Sequence, residues 1–333
     1  MRNIIIFGSS SKTSIEKKYF FEFKKINKLT KIYDTDLYFP KIFKLNFINK
    51  IFLFPRILFN SILMLIICYN SKNSLILVFK GQFFLSFIIK FLKKRNNSYF
   101  INFNGDDPFN LSIIDISTKS LIKSLKEYNL VLIWSKRILK KIKARKISKN
   151  IEYLPFGYDK IINLYNSKKN RKKIIFYGTW DKHRENFLNK IRLDDLYIFG
   201  TGWQHSSETF FHHKNIVSKE IGTNQIIKEI SRSYAVINIF REQNYGSHNM
   251  KTFEIPAYGG IQFSQYSKEV SSFFKNNQSI FFYSSARDLV KKLKKFKKLN
   301  SFDIFIKNSL KDVKNESYKE RVNKILEYVK KHN

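Results

Sequence analysis

Short β-rich runs alternate with helical stretches along most of this chain, and the alternation stops once and then restarts. In the first half, Asn3–Phe7, Leu75–Phe79, Tyr99–Phe103 and Leu130–Trp134 read as strands, separated by helical stretches such as Lys17–Lys28, Ile57–Cys68 and Leu85–Lys93. Strands with helices between them predict a parallel, doubly wound sheet. Ile151–Asp159 reads as an edge strand, a turn and a linker, and Asn166–Lys173 (NSKKNRKK) is a charged run suited to an interdomain connection. At Lys173 the pattern begins again. Strands are expected at Lys173–Tyr177, Leu196–Phe199, Ala235–Ile239, Ile261–Phe263 and Ile280–Tyr283. Helices fit at His183–Ile191, Gln225–Ser231, Met250–Tyr258, Glu269–Phe274 and Ala286–Lys295. The tail Glu316–Lys331 is an amphipathic helix with Tyr318, Val322, Ile325, Leu326 and Val329 on one stripe. The expected architecture is α/β: two Rossmann-like domains facing across a cleft, 1–155 and 156–315 with a linker near 156–172, and a helix at 316–333 returning to the first domain. Such a fold keeps its ligand at the carboxyl ends of the strands, in the cleft.

The 333 residues suffice for two domains, and 43% hydrophobic with 26% charged residues excludes a disordered chain. A formal charge of +36 points to an anionic partner, either nucleic acid, an acidic membrane surface or a phosphorylated substrate. Heavy use of Lys, Asn, Ile, Phe and Tyr also fits AT-rich coding, so drift on solvated faces stays open as the source of the charge. The single cysteine, Cys68, rules out an internal disulfide and fits a reducing compartment. The apolar run in MRNIIIFGSSSK is too short for a signal-peptide core. Ile57–Cys68, preceded by Pro55-Arg56, falls short of the roughly 20 residues that span a bilayer. It is either a buried helix or an interfacial one. The expected location is cytoplasmic, with possible peripheral contact at the inner face of the membrane.

The most informative stretch for chemistry is Met250–Tyr266, MKTFEIPAYGGIQFSQY. Glu254 sits in an apolar, small-residue helix that ends on a Gly pair and feeds a strand. A carboxylate on the buried side of such a helix is costly unless something pairs with it; the other reading is a Glu pointing to solvent. Further candidates follow predicted strands. Gly8 opens a Ser-rich loop without the spacing of a P-loop. Asp106, in Asn104-Gly105-Asp106-Asp107-Pro108, is free to act as a base, while Asp107 resembles a helix cap. Gly178-Thr179-Trp180-Asp181 leads into a helix carrying Arg184, whose bare N–H groups and guanidinium suit a diphosphate. Gly200-Thr201-Gly202-Trp203 offers tight-turning glycines and a Trp that stacks on a ring or closes a core. Gly246-Ser247-His248-Asn249 precedes the Glu254 helix, with amides that could face phosphate or sugar oxygens.

Together, Phe-Tyr-Gly-Thr-Trp at 176–180 with Arg184, Phe-Gly-Thr-Gly-Trp at 199–203, and Asn249 through Gly260 resemble the CgeB/YkvP-like glycosyltransferases, part of the wider GT-B group. Asn-Gly-Asp-Asp-Pro at 104–108, Tyr-Leu-Pro-Phe-Gly at 153–157 and Ser-Tyr-Lys-Glu-Arg-Val at 317–322 are similar to family positions too. The resemblance covers roughly residues 75–330. It implies a GT-B-like fold with a nucleotide-sugar co-substrate held by the second domain, no other cofactor, and a glycan, lipid-linked or protein acceptor. Arg184 would then face the donor diphosphate and Glu254 ribose or sugar hydroxyls, with Gly178, Trp180, Gly200, Gly202, Trp203, Gly246, Asn249 and Lys251 around them. Two positions depart from the pattern. Gly246 stands where related retaining transferases carry a second Glu, and Lys251 replaces an Arg, giving a point charge instead of a fork. Retention and inversion both stay open.

No metal-ligand spacing is present among His183, His205, His212, His213, His248 and His332. The leaving diphosphate would be stabilised by Arg184, Lys251 and helix amino termini. An inverting reaction would need a base, for which Asp106 and His248 are the candidates. A nucleic-acid-binding protein would explain the charge but shows none of the usual signatures. A catalytically inactive transferase-like module is the third reading.

Overall fold

The computed structural model describes residues 3–36, 46–109, 115–162, 171–211 and 215–332. The chain divides into two compact units, Met1–Pro155 with Tyr318–Asn333, and Phe156–Ser317.

The first unit is built on strands β1 (Ile4–Gly8), β2 (Lys31–Asp34), β3 (Leu75–Phe79), β4 (Tyr99–Asn104), β5 (Leu130–Ile133) and β6 (Ile151–Tyr153). They form one sheet in the order β2-β1-β3-β4-β5-β6, and every pairing is parallel. β1, β3, β4 and β5 are buried at every position. That is why they read as unbroken apolar runs: helices cover both faces, so neither needs a polar alternation. Five helices connect the strands: α1 (Ile15–Ile26), α2 (Asn46–Cys68), α3 (Ser86–Asn96), α4 (Asp115–Leu125) and α5 (Lys136–Ala144). Ser14 and Ser135 cap α1 and α5 by accepting from Lys17 N at 3.2 Å and Ile138 N at 3.4 Å. The sequence reading lacked β2, α4 and α5. β2 is a four-residue edge strand, and α5 (KRILKKIKA) buries only Ile138 and Ile142 beneath a basic surface.

The second unit repeats the plan with β7 (Lys173–Tyr177), β8 (Leu196–Phe199), β9 (Ile216–Val217), β10 (Ser233–Asn238), β11 (Gln262–Gln265) and β12 (Phe281–Tyr283). Their order is β12-β11-β10-β7-β8-β9, again all parallel. The helices are α6 (Lys182–Asn189), α7 (Glu208–Phe211), α8 (Thr223–Ser231), α9 (Lys251–Ala257), α10 (Ala286–Lys297) and α11 (Asp303–Val313). The helix expected over Glu269–Phe274 is only a 3-10 turn, Val270–Ser272. Ser267 forms that turn by taking the amides of Glu269 at 3.2 Å and Val270 at 3.4 Å. Residues 163–170 of the expected 156–172 linker and the His212-His213 pair lie outside the described residues.

The last helix, α12 (Tyr318–His332), belongs to the first unit and packs on α1. Tyr318 meets Tyr19 edge-on, ring centroids 5.2 Å apart, and both rings are fully buried. Tyr328 donates to the Tyr153 carbonyl at 3.0 Å, and Lys331 reaches Glu152 at 2.6 Å. The Tyr19 hydroxyl has no hydrogen-bond partner among the described residues, and burial pushes its ionisation upward. Tyr19→Ala should therefore cost about 3–5 kcal/mol. Tyr19→Phe should be neutral or stabilising, because it deletes an unsatisfied group whose burial costs about 1–3 kcal/mol. Urea unfolding of the two variants beside the parent checks both signs.

Candidate functional site

In the second unit the residues singled out by sequence converge on the carboxyl ends of β7, β8 and β10, where a parallel sheet turns its loops toward ligands. Two glycines set the floor. Gly200 has φ 142°, and a Cβ there would run into the backbone of Gly178. The loops after β7 and β8 can therefore touch only because position 200 carries no side chain. Trp180 N donates to the Thr201 carbonyl at 2.8 Å and locks the two loops together. Gly202 faces the Trp180 side chain.

Arg184, in the first turn of α6, is buried beneath this floor. Its guanidinium donates to the Thr179 carbonyl at 2.8 Å and the Ile239 carbonyl at 3.2 Å, and its Nε lies 3.4 Å from Asp181. It ties the β7 loop to the chain beyond β10. The start of α6, expected to be bare, is capped instead: Asp181 accepts from Arg184 N at 2.9 Å. Arg241, after β10, brings an exposed guanidinium to 3.8 Å from the same carboxylate. Burial draws the Arg184 guanidinium down to about 10; Asp181 offsets part of this and Arg241 adds to it.

Lys251 reaches the same place from α9. Its ammonium donates to the Tyr177 carbonyl, lies 5.0 Å and 4.7 Å from the ring centroids of Phe176 and Tyr177, and occupies the space a side chain on Gly178 would need. Desolvation pushes Lys251 well below the usual lysine range, Arg184 pushes further, and Glu254 opposes both. Glu254 is buried on α9, the first of its two sequence readings. Its charge also helps raise the ionisation of Tyr177 and Tyr258, behind the larger effect of their burial. The Tyr177 hydroxyl is buried with no hydrogen-bond partner among the described residues. Arg184, Arg241, Lys251, Asp181 and Glu254 thus make one electrostatic cluster in which three cations meet two carboxylates.

Other expectations are corrected. His248 is fully buried; its Nδ1 lies 3.0 Å from Glu269, and its Nε2 accepts the Phe156 N–H at 3.1 Å. With Nε2 receiving an N–H, the ring proton sits on Nδ1 and no lone pair remains for an acceptor hydroxyl. His248 is not positioned as a base. Trp203 is a core residue: its indole N–H goes to the Gly178 carbonyl at 2.9 Å, and Phe210 stacks on its ring at 5.7 Å. Trp180 is the half-buried one, its N–H held by Glu185 at 2.8 Å. Asn249 pairs its amide with Asn238 at 2.8 Å and takes the Thr252 N–H at 3.1 Å, so it caps α9. The Ser247 amide is spent on the Asn244 carbonyl at 3.0 Å. Gly246 has φ 74°, a conformation that would strain any Glu placed there. Arg241 and Glu269 were missed by sequence reasoning. Only their places just beyond β10 and β11 mark them.

In the first unit, Asp106 follows β4, is about half exposed and lies 3.2 Å from Lys80. Asp107 accepts from Phe109 N at 2.9 Å and meets Arg137 at 3.3 Å, making a turn rather than the helix cap. Gly8 packs against Glu16 and Phe79, and the serines after it are tied to Asp34 through Ser10 N at 2.9 Å.

Residues 182–327 match a family described as glycosyl transferase-like. No match to a curated protein was found. Among solved structures, the chain is similar to Anabaena HepE in complex with UDP and glucose (9% identity, TM-score 0.68, covering 99% of this chain and 100% of that one). It is similar to a sucrose-phosphate synthase from Thermosynechococcus elongatus (10% identity, TM-score 0.68, 99% of each chain). It is also similar to a variant of TarM from S. aureus in complex with fondaparinux, alpha-GlcNAc-glycerol and UDP (14% identity, TM-score 0.56). There it covers 77% of this chain and spans 55% of the TarM chain. At such identities the likeness is one of fold: two parallel six-stranded sheets with flanking helices, as in GT-B glycosyltransferase structures.

Removing His248 separates scaffold from catalyst. His248→Ala leaves the Phe156 N–H without its acceptor and takes one donor from the buried Glu269, and should cost about 1.5–3 kcal/mol of stability. A variant that melts like the parent protein but loses activity would restore His248 as a catalytic group.

Proposed function

We propose that the chain is a glycosyltransferase of the GT-B type, taking a sugar from a nucleotide-sugar held by the second unit. The observation that carries this is the cluster of Arg184, Lys251 and Arg241, three basic groups gathered around Asp181 and Glu254. Arg184 and Lys251, depressed by burial and by neighbouring positive charge, are relieved by a diphosphate, both on binding and as it departs with its charge. The match over residues 182–327 and the fold shared with a UDP-bound structure support the assignment. The resemblance to the CgeB/YkvP-like group supports a cell-surface glycan, lipid-linked or protein acceptor and a cytoplasmic site of action.

In this mechanism Lys251 and Arg241 face the diphosphate, while Arg184 holds the two loops in register from below and adds its charge. Glu254 accepts from ribose or sugar hydroxyls, and Trp180 offers the half-buried ring near the base. Charge neutralisation by these side chains is the proposed alternative to a metal. With His248 locked into the scaffold, Asp106 is the remaining candidate to take the acceptor proton in an inverting reaction.

Lys251 provides a signed test. Its ammonium is pushed down in the free protein, so an arriving diphosphate raises it and binding takes up a proton in the window between the two values. Calorimetric titration with UDP in buffers of different ionisation heat should reveal net proton uptake, absent in Lys251→Met. Binding without proton exchange in both proteins would remove the diphosphate from Lys251. Separately, Glu254→Gln should keep the fold and lose about tenfold or more in donor affinity or turnover, since hydrogen bonds to a charged group contribute about 1.5–3 kcal/mol. Arg241→Ala should weaken UDP itself. Parent-like behaviour of both variants would sink the proposed donor site.

A further inference from the structure

The first unit carries a surface that the transferase reading does not use. Residues 37–105 contain ten Lys and Arg and neither Asp nor Glu. Within that stretch α2 turns Phe54, Leu58, Ile62 and Ile66 outward at four-residue steps, Phe54 being 67% and Ile66 70% exposed. Steps of four keep side chains on one side of a helix, so these make a continuous stripe. α3 adds Phe87, 62% exposed, and Phe91. The chain passes from β2 to β3 and then to β4 in one direction across the sheet. Right-handed crossovers place α2 and α3 on the same face, where they pack side by side. The Arg95 guanidinium lies 3.9 Å from the centroid of the Tyr69 ring, joining the carboxyl ends of the two helices. Lys90, Lys94 and Arg95 are exposed beside the apolar stripe.

We propose that this α2–α3 face docks on an anionic lipid bilayer, its apolar stripe in the boundary between headgroups and acyl chains and its cations among the headgroups. The stripe runs about 18 Å along α2 at 1.5 Å per residue. That suits a helix lying in the interface, and no helix among the described residues is long and apolar enough to cross a membrane. Charge decides the occupant. A second copy on this face would set cations against cations with no carboxylate from either α2 or α3 to pair them, whereas anionic headgroups complement them. The surface stands independently of the donor site, and its test needs no sugar substrate.

The experiment is sedimentation of the whole protein with phosphatidylcholine vesicles, with and without phosphatidylserine. The protein should pellet with the phosphatidylserine vesicles at low salt and be released at high salt. Ile66→Glu with Phe87→Glu should lose about tenfold or more in partition, and Lys90→Glu with Lys94→Glu about fivefold per residue. All four positions are exposed, so melting temperatures and UDP binding should stay at parent values. Parent protein that stays in the supernatant, binds neutral vesicles equally, or binds through Ile66→Glu with Phe87→Glu unchanged overturns the proposal. A concentration-dependent dimer abolished by Ile66→Glu, without lipid binding, assigns the face to a second copy and also overturns it. None of these failures touches UDP binding, which is measured without lipid.

Discussion

The buried guanidinium of Arg184 is the interaction on which the candidate site depends. A cation removed from water is costly unless its donors are used. Here the two terminal nitrogens are used by carbonyls of Thr179 and Ile239, on loops that follow different strands, while Nε has the charge of Asp181 3.4 Å away. The cost of burial thus becomes a constraint, because the two loops cannot separate without stranding the charge. Lys251 then leans onto the same edge through the Tyr177 carbonyl. Like charges brought together in a half-buried place raise the free energy of the empty site and lower it when an anion arrives. A site of this kind is preorganised at a cost to stability.

Burial also decides which polar sets are chemistry and which are scaffold. Ser247, His248 and Glu269 are the residue types of a nucleophile, a base and an orienting acid. The bonds say otherwise: Ser247 donates to Glu269 at 2.7 Å, and the Phe156 amide takes the nitrogen a base would use. All three side chains are nearly inaccessible, so the set fixes the start of the second unit beside α9.

The strands were legible because parallel strands covered on both faces must be apolar at nearly every position. Tail amphipathicity likewise marked α12, since one face only is buried. Of what stayed hidden, β2, β9 and α5 are short or basic and bury too few side chains to leave a period, while α4 (DISTKSLIKSL) is diluted by Ser, Thr and Lys. The site was legible as places and less so as roles. Glu254 could be read because a carboxylate among small apolar residues is conspicuous. His248 could not, because its partners Phe156 and Glu269 stand 92 and 21 residues away. Trp203 and Trp180 follow similar Gly-Thr sequences, and only packing separates the core ring from the half-exposed one.

The charge of the chain has two different origins, which composition alone merges. Drift toward Lys acts on all solvated positions and has no reason to strip carboxylates from one stretch. At the chain-wide density residues 37–105 would hold about five Asp and Glu, yet they hold none. The same stretch presents eight large hydrophobic side chains to solvent. An apolar surface in water is a liability unless something covers it, and added cations keep it soluble and apart from its own copies. Lys90, Lys94 and Arg95, exposed beside an apolar stripe on two helices that carry no acid of their own, therefore describe a surface selected for one polarity of partner. The cations at the carboxyl ends of β7 and β10 are different in kind: few, partly desolvated and paired with carboxylates, they are placed to respond to a single anion.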